Sequence, residues 1–135
     1  MEAVAAETRR AIRAAAETLF LRDGYTRTTM KAIAEQAGVS EKTMYLTYAT
    51  KANLLREVIQ VAVRGDEAPE TLADRPEWRA VIAGPLDEVF ARFAALNASL
   101  MTRTAPIIAL AESAAAVDPE LADHRARARA TARAD

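Results

Sequence analysis

The stretch Met30–Tyr48 constrains the fold more tightly than any other part of the chain. It reads as two short helices, Met30–Ala37 and about Glu41–Tyr48, on either side of Gly38. Two helices that cross at roughly 100–120° in close contact need particular residue types at the crossing. Ala34 is small where the second helix must approach, and Gly38 can take the positive φ that the turn requires. Ile33, Ala37, Val39 and Met44 supply apolar contacts that set the angle. Thr29 and Ser40 stand where an N-cap hydroxyl satisfies the exposed amides of each helix. A later position, commonly apolar in helix-turn-helix motifs, is Thr47, which points to a variant with a short second helix.

The rest of the chain fits an all-α architecture. Apolar residues make up 51% of the 135, with only 4 Gly and 5 Pro, and no segment alternates long enough for a strand. Much of the apolar share is alanine, a strong helix former that buries little surface, so the helices must pack closely. A first helix is predicted over Glu7–Asp23, its stripe formed by Ile12, Ala16, Leu19 and Phe20, with Gly24 as its stop and Tyr25 turning back to the core. Thr50 caps a fourth helix, Lys51–Arg64, with Leu54, Leu55, Val58, Ile59 and Ala62 on one face. Gly65–Arg75, with Pro69, reads as a loop. The expected organisation is a head over 1–50, a connecting helix over 51–64 and a partial helical body over 65–135. In the body, a short helix over Glu77–Ala83 buries Trp78 and Val81 and ends at Gly84-Pro85. A long helix follows, marked by Leu86, Val89, Phe90, Phe93, Leu96 and Leu100. Pro106 opens another short helix, and Asp118-Pro119 begins the last.

Several chemistries are excluded. The chain has no cysteine and a single histidine, His124, so disulfides, thiolate zinc sites and multi-histidine metal sites are out. No pair of carboxylates converges with any positional logic, so no enzyme, cofactor or metal is expected. The N-terminus, with Glu2, Glu7, Arg9, Arg10 and Arg13, is not a signal region. Apolar runs such as Ala105–Ala111 are too short to cross a bilayer, so a cytoplasmic protein with no membrane partner is expected. The net charge of −1 hides an asymmetry. Residues 1–64 hold ten Lys/Arg against seven Asp/Glu, and residues 65–135 eight against twelve. A mildly basic head on an acidic body suits a head that meets an anionic surface.

Three blocks of residues together resemble the N-terminal head of the tetracycline-repressor (TetR) family. The first is Ile12, Ala15, Ala16, Leu19, Phe20, Gly24 and Tyr25. The second runs from Thr28-Thr29-Met30-Lys31 through Ile33, Ala34 and Ala37 to Gly38-Val39-Ser40. The third is Thr43-Met44-Tyr45, Tyr48, Lys51 and Leu54-Leu55. The resemblance covers residues 9–60, and it implies a homodimer whose heads dock in successive major grooves of double-stranded DNA. It also implies a small-molecule effector, of unspecified identity, bound by the C-terminal body. The family's body continues through further helices, including the pair that forms the dimer interface, so the body here reads as truncated or reduced.

Carried across by position, the resemblance makes Thr29 and Lys31 contacts to phosphate, Lys31 also reaching toward a base edge. Ser40, Glu41, Lys42 and Thr43 open the recognition helix that enters the groove. There Lys42 can donate to guanine, Thr43 can meet a base edge or thymine methyl, and Glu41 can accept from cytosine. Tyr45 and Lys51 match the family's phosphate-contacting tyrosine and lysine. Thr47, counted among the DNA-facing residues, replaces a frequent histidine, and Tyr48 replaces a frequent phenylalanine as a core aromatic with its hydroxyl at the rim.

Plainer roles exist for each. Thr29, Ser40 and Thr50 are helix caps in any case, Glu41 suits the first turn of a helix, Tyr45 can be core packing, and Lys42 and Lys51 can be solvated charges. Trp78, Phe90, Phe93 and Met101 either line an effector pocket or pack between helices. Arg125, Arg129 and Arg133 form an i, i+4 row that reads as a solvated face. The expected function is effector-responsive repression through a palindromic operator. The alternative is a helical module for small molecules or proteins that has lost DNA binding.

Overall fold

The computed structural model describes residues 2–66 and 71–134; the side chains of 2–4, 128, 129 and 131–134 lie outside the description. Arg129 and Arg133, and Pro69 of the expected loop, therefore fall outside it. The described chain is helical: α1 (Glu2–Asp23), α2 (Met30–Ala37), α3 (Glu41–Thr47), α4 (Lys51–Arg64), α5 (Pro76–Ala83), α6 (Leu86–Ala115) and α7 (Pro119–Ala134), with a 3-10 turn at Leu72–Asp74. No strand occurs among the described residues. The helix bounds follow their capping chemistry, and α2 and α4 coincide with the sequence expectation. α1 begins earlier than Glu7, because Ala3, Ala5 and Ala6 favour the helix and nothing ahead of Glu7 stops it.

The chain divides into two compact units, one comprising 1–59 and 107–135 and the other 60–106. The sequence places all of 65–135 in a single body; the structure instead groups its last helical segments with the head. In the first unit α1 buries Ile12, Ala15, Ala16, Leu19 and Phe20, α2 buries Ile33 and Ala34, and α4 buries Ala52, Leu54, Leu55 and Val58. Ile107, Leu110 and Ala114 from the end of α6, and Leu121 from α7, are buried in the same unit. The alanines let backbones approach, and the large buried side chains, among them Phe20, Ile12, Ile33, Leu54, Leu55 and Val58, each contribute about 1.5–3 kcal/mol of apolar stabilisation.

The turn between α2 and α3 closes by a double hydrogen bond. The Val39 N–H donates to the Ala34 carbonyl (3.0 Å) and the Gly38 N–H to that of Glu35 (3.2 Å), while Gly38 is left-handed at φ 75°. This Schellman arrangement satisfies two carbonyls that the end of α2 would otherwise leave open.

In the second unit, the Arg92 side chain closes the end of α5 by donating to the carbonyls of Val81 (3.0 Å) and Pro85 (3.2 Å). A Cβ at Gly84 would come within 2.5 Å of that guanidinium, so a side chain there would have to displace the Arg92 head from these carbonyls. Buried Arg75 makes a two-pronged pair with Asp66 at 2.7 and 2.9 Å. Phe90, expected to pack between helices or line a pocket, is 82% exposed, and Phe93 and Met101 are about half exposed. Trp78 is half-buried and meets Phe93 edge-on, with centroids 6.2 Å apart.

The break expected at Pro106 does not occur. α6 runs through it: the proline costs the helix its bond to the Thr102 carbonyl and crowds that carbonyl with its ring, and the alanine-rich flanks together with burial of Ile107 and Leu110 offset the loss. Joining the two expected helices also makes an element long and apolar enough, at mean hydropathy 1.2, to meet the length and composition requirement of a bilayer span. Core helices of soluble proteins meet the same requirement.

No heavy atom lies within 4 Å of where a Cβ would sit on Gly38, so a substitution there is penalised by backbone conformation alone. Gly38→Ala is expected to destabilise the protein by about 1–2 kcal/mol, and Gly38→Asn by less, since asparagine tolerates the left-handed region. Urea midpoints of the two variants, compared at constant slope, measure the difference.

Candidate nucleic-acid interface

α3 has seven residues and a single buried one, Met44, at 0% exposure. Successive residues turn 100° around a helix, so Lys42 and Leu46 lie about 160–200° from Met44 and form the ridge facing directly away from the core. Lys42 is exposed, and Leu46 is exposed at 78%. Glu41 and Tyr45 flank this ridge on one side and Thr43 and Thr47 on the other. Tyr45 is 53% exposed, which removes the core-packing reading for it.

The hydroxyls around α3 are partly committed. Ser40 Oγ accepts from the Thr43 N–H (3.1 Å) and donates to Thr43 Oγ1 (3.0 Å), so cap and third residue form one polar unit at the start of the helix. The Thr47 hydroxyl donates back to the Thr43 carbonyl at 2.7 Å, leaving only its lone pairs to face outward. Tyr48 is buried, and its hydroxyl donates to Glu57 on α4, which also pairs with Arg9 of α1 at 2.5 Å. The Arg9 guanidinium lies over the Tyr48 ring, 5.0 Å from its centroid. A groove of about 360 Å³ runs beside α3, lined by Ala5, Thr8, Arg9, Thr43, Leu46 and Thr47.

At the start of α2, Thr29 Oγ1 accepts from the Ala32 N–H at 3.0 Å and caps the helix. Thr29 and Lys31 are exposed, and the amides of Met30 and Lys31 have no partner within the helix by construction. An exposed hydroxyl, two open amides and an ammonium at a helix start favour an anion.

Lys51 behaves differently from the expectation that it faces phosphate. Its ammonium turns inward, donating to the carbonyls of Tyr25 (2.8 Å) and Thr28 (3.1 Å) and lying 4.2 Å from the Tyr25 ring centroid. Burial pushes it below the ordinary lysine value, with the charge of Asp118 opposing. Tyr25, itself buried against Phe20, donates its hydroxyl to Asp118 Oδ2 at 2.6 Å. Burial and then that bond push the phenol well above its usual range, while the same bond holds the Asp118 carboxyl below its own. Tyr25 thus remains a donor and Asp118 an acceptor at neutral pH. The other Asp118 oxygen accepts from the Glu120 N–H at 3.0 Å, capping α7.

The structure therefore brings Thr29 and Lys31 to one helix start, and Ser40, Glu41, Lys42, Thr43, Tyr45 and Thr47 to one short helix. Sequence reasoning missed Leu46 and Asp118. Leu46 was legible, since i, i+4 spacing from Lys42 places it on the outward ridge; Asp118 lies 93 residues from Tyr25 and carried no local signal of that contact. In the second unit, an open cleft of about 390 Å³ is lined by Glu77, Ala80, Val81, Arg92, Ala95, Leu96 and Ser99. A smaller cavity includes Trp78. Phe90, Phe93 and Met101 line neither.

No curated protein and no solved structure matches the chain. Residues 12–58 match the family described as bacterial regulatory proteins, tetR family, a span that takes in α1 from Ile12 through most of α4. Helix order, capped turn and outward ridge agree with that match, so the segment 12–58 has the organisation of a tetR-family helix-turn-helix head, the type of head that binds DNA.

Proposed function

We propose that this protein is a TetR-type transcriptional regulator, an effector-responsive repressor that binds a palindromic operator as a homodimer in the cytoplasm. The observation that carries the reading is the outward ridge of α3, where an ammonium and an exposed leucine project from a helix whose one buried residue is Met44. In a major groove, Lys42 donates to guanine O6/N7, and the Leu46 methyls pack on a thymine methyl. Ser40, Glu41, Thr43 and Thr47 border that contact. Tyr45 and the α2 start, Thr29 with Lys31, hold phosphates on either side and set register without reading sequence. Lys51 adds positive charge and steadies the Tyr25–Thr28 loop.

The open cleft of the second unit is the proposed effector site. Its lining of Ala80, Val81, Ala95 and Leu96, bordered by Glu77, Arg92 and Ser99, suits a small, mostly apolar molecule. α4 has residues 51–59 in the head's unit and 60–64 in the other, so a ligand that prefers one setting of α4 biases the head by that differential affinity. The alternative of a module that has lost DNA binding finds no specific support, because the groove-facing residues carry no other evident task.

Binding sites selected by the protein from random duplexes should form an inverted repeat, and affinity should fall on the order of 100-fold between about 50 and about 200 mM salt. Salt-independent binding, or no enriched sequence, would refute the reading. Lys42→Ala and Leu46→Ala should each relax one or two base pairs per half-site, at a loss of about 1–3 kcal/mol on the preferred site. Their selected motifs must differ from the parent's for base readout to stand. Tyr45→Phe and Lys51→Ala should instead weaken every duplex alike, with the motif unchanged.

A further inference from the structure

Asp118 belongs to the same compact unit as the head although it follows α6 in the chain, and it serves two helices at once. One carboxylate oxygen caps α7 through the Glu120 amide, and the other takes the Tyr25 hydroxyl at 2.6 Å. Tyr25 in turn lies under the Lys51 ammonium, which donates to the carbonyls of Tyr25 and Thr28. Thr28 is buried, and its own hydroxyl donates to the Gly24 carbonyl at 2.7 Å. The residue after it, Thr29, is the α2 cap. A chain of named contacts thus runs from α7 to the phosphate-facing start of α2, and each link holds the next. Arg56 and Glu120, 3.8 Å apart, pair α4 with the first turn of α7 beside it, and Leu121 is buried there.

We propose that Asp118 is a positioning residue for DNA binding. Through Tyr25 and Lys51 it holds the Tyr25–Thr28 loop in the form that presents Thr29 and the first turn of α2 to a phosphate. The inference rests on the DNA-binding reading above, and it adds that the segment after Pro106 is part of the binding head. Asp118 touches no nucleotide; it acts by limiting what the loop can do. A hydrogen bond to a carboxylate is stronger than one between neutral groups, and at a half-buried place it restrains the loop more than a solvated contact would. Lys51 and Asp118 act at different points: the two carbonyl bonds of Lys51 fix the loop backbone to α4, and Asp118 fixes the hydroxyl end of the Tyr25 side chain at the start of α7.

The test uses Tyr25→Phe, which keeps the ring and its cation contact and removes only the hydroxyl, and Asp118→Asn, which keeps an N-cap acceptor for α7. Each should weaken binding to the selected duplex roughly fivefold or more with no change in motif. In a Thr29→Ala background, Tyr25→Phe should add little further loss, because the loop then has no cap to position. A role in stability alone would make the two losses multiply, and that result would overturn the proposal, as would a Tyr25→Phe protein that binds like the parent. In the free protein, the Ala32 amide resonance should shift or broaden in both variants, with the Thr43 amide of α3 as an internal reference. An unmoved Ala32 resonance counts against the proposal. If the parent protein selects no duplex, the DNA reading fails by itself, and the Ala32 amide still decides whether Asp118 governs the α2 start.

Discussion

The geometry of the head depends on one backbone state, the left-handed residue at Gly38, where the paired hydrogen bonds to Ala34 and Glu35 close the turn. Those bonds end α2 and aim the chain so that Ser40 can cap α3. The direction of α3 follows from this turn and from Met44, since a helix of seven residues has too little surface to orient itself. Lys42 and Leu46 point outward only because Met44 points in. The chemistry exposed on α3 is therefore inherited from the turn that precedes it.

What was legible in the sequence was local. Thr29, Gly38, Ser40 and Thr50 act within three or four residues of themselves, and the helices they bound came out where capping chemistry puts them. Tyr48 follows the same logic, as a core aromatic whose hydroxyl finds Glu57 at the rim. Pro106 shows the limit of such signals. Proline reads as a break, yet in an alanine-rich helix the missing bond is tolerated. Phe90 shows another limit: periodicity identifies a stripe, but whether anything covers the stripe depends on tertiary contacts, and here it lies open.

Long-range pairing was illegible for a different reason. Nothing near Asp118 marks it except its role as a helix cap, and an aspartate just ahead of a proline fills that role with no need of a tyrosine 93 residues away. The same holds for Lys51. Its position at the start of α4 is compatible with facing phosphate, and only the Tyr25 and Thr28 carbonyls show that its ammonium turns inward. The division of the chain had the same source, because the grouping of 107–135 with the head arises from burial of Ile107, Leu110, Ala114 and Leu121. Sequence order alone assigns these residues to the body.

These contrasts separate two kinds of residue within one small interface. Thr29 and Lys51 are tied into caps and carbonyl bonds, so changing them alters the shape of the head as well as its contacts. Lys42, Tyr45 and Leu46 are exposed and form no bond that the fold needs, since α3 is held by Met44, Ser40 and the Gly38 turn. On the proposed reading, base preference can change by substitution on the α3 ridge at little expense in stability, while the α2 start that would hold phosphate is braced by the Asp118–Tyr25–Lys51 contacts. A head built this way would keep its docking register fixed from inside and leave its sequence readout free to vary.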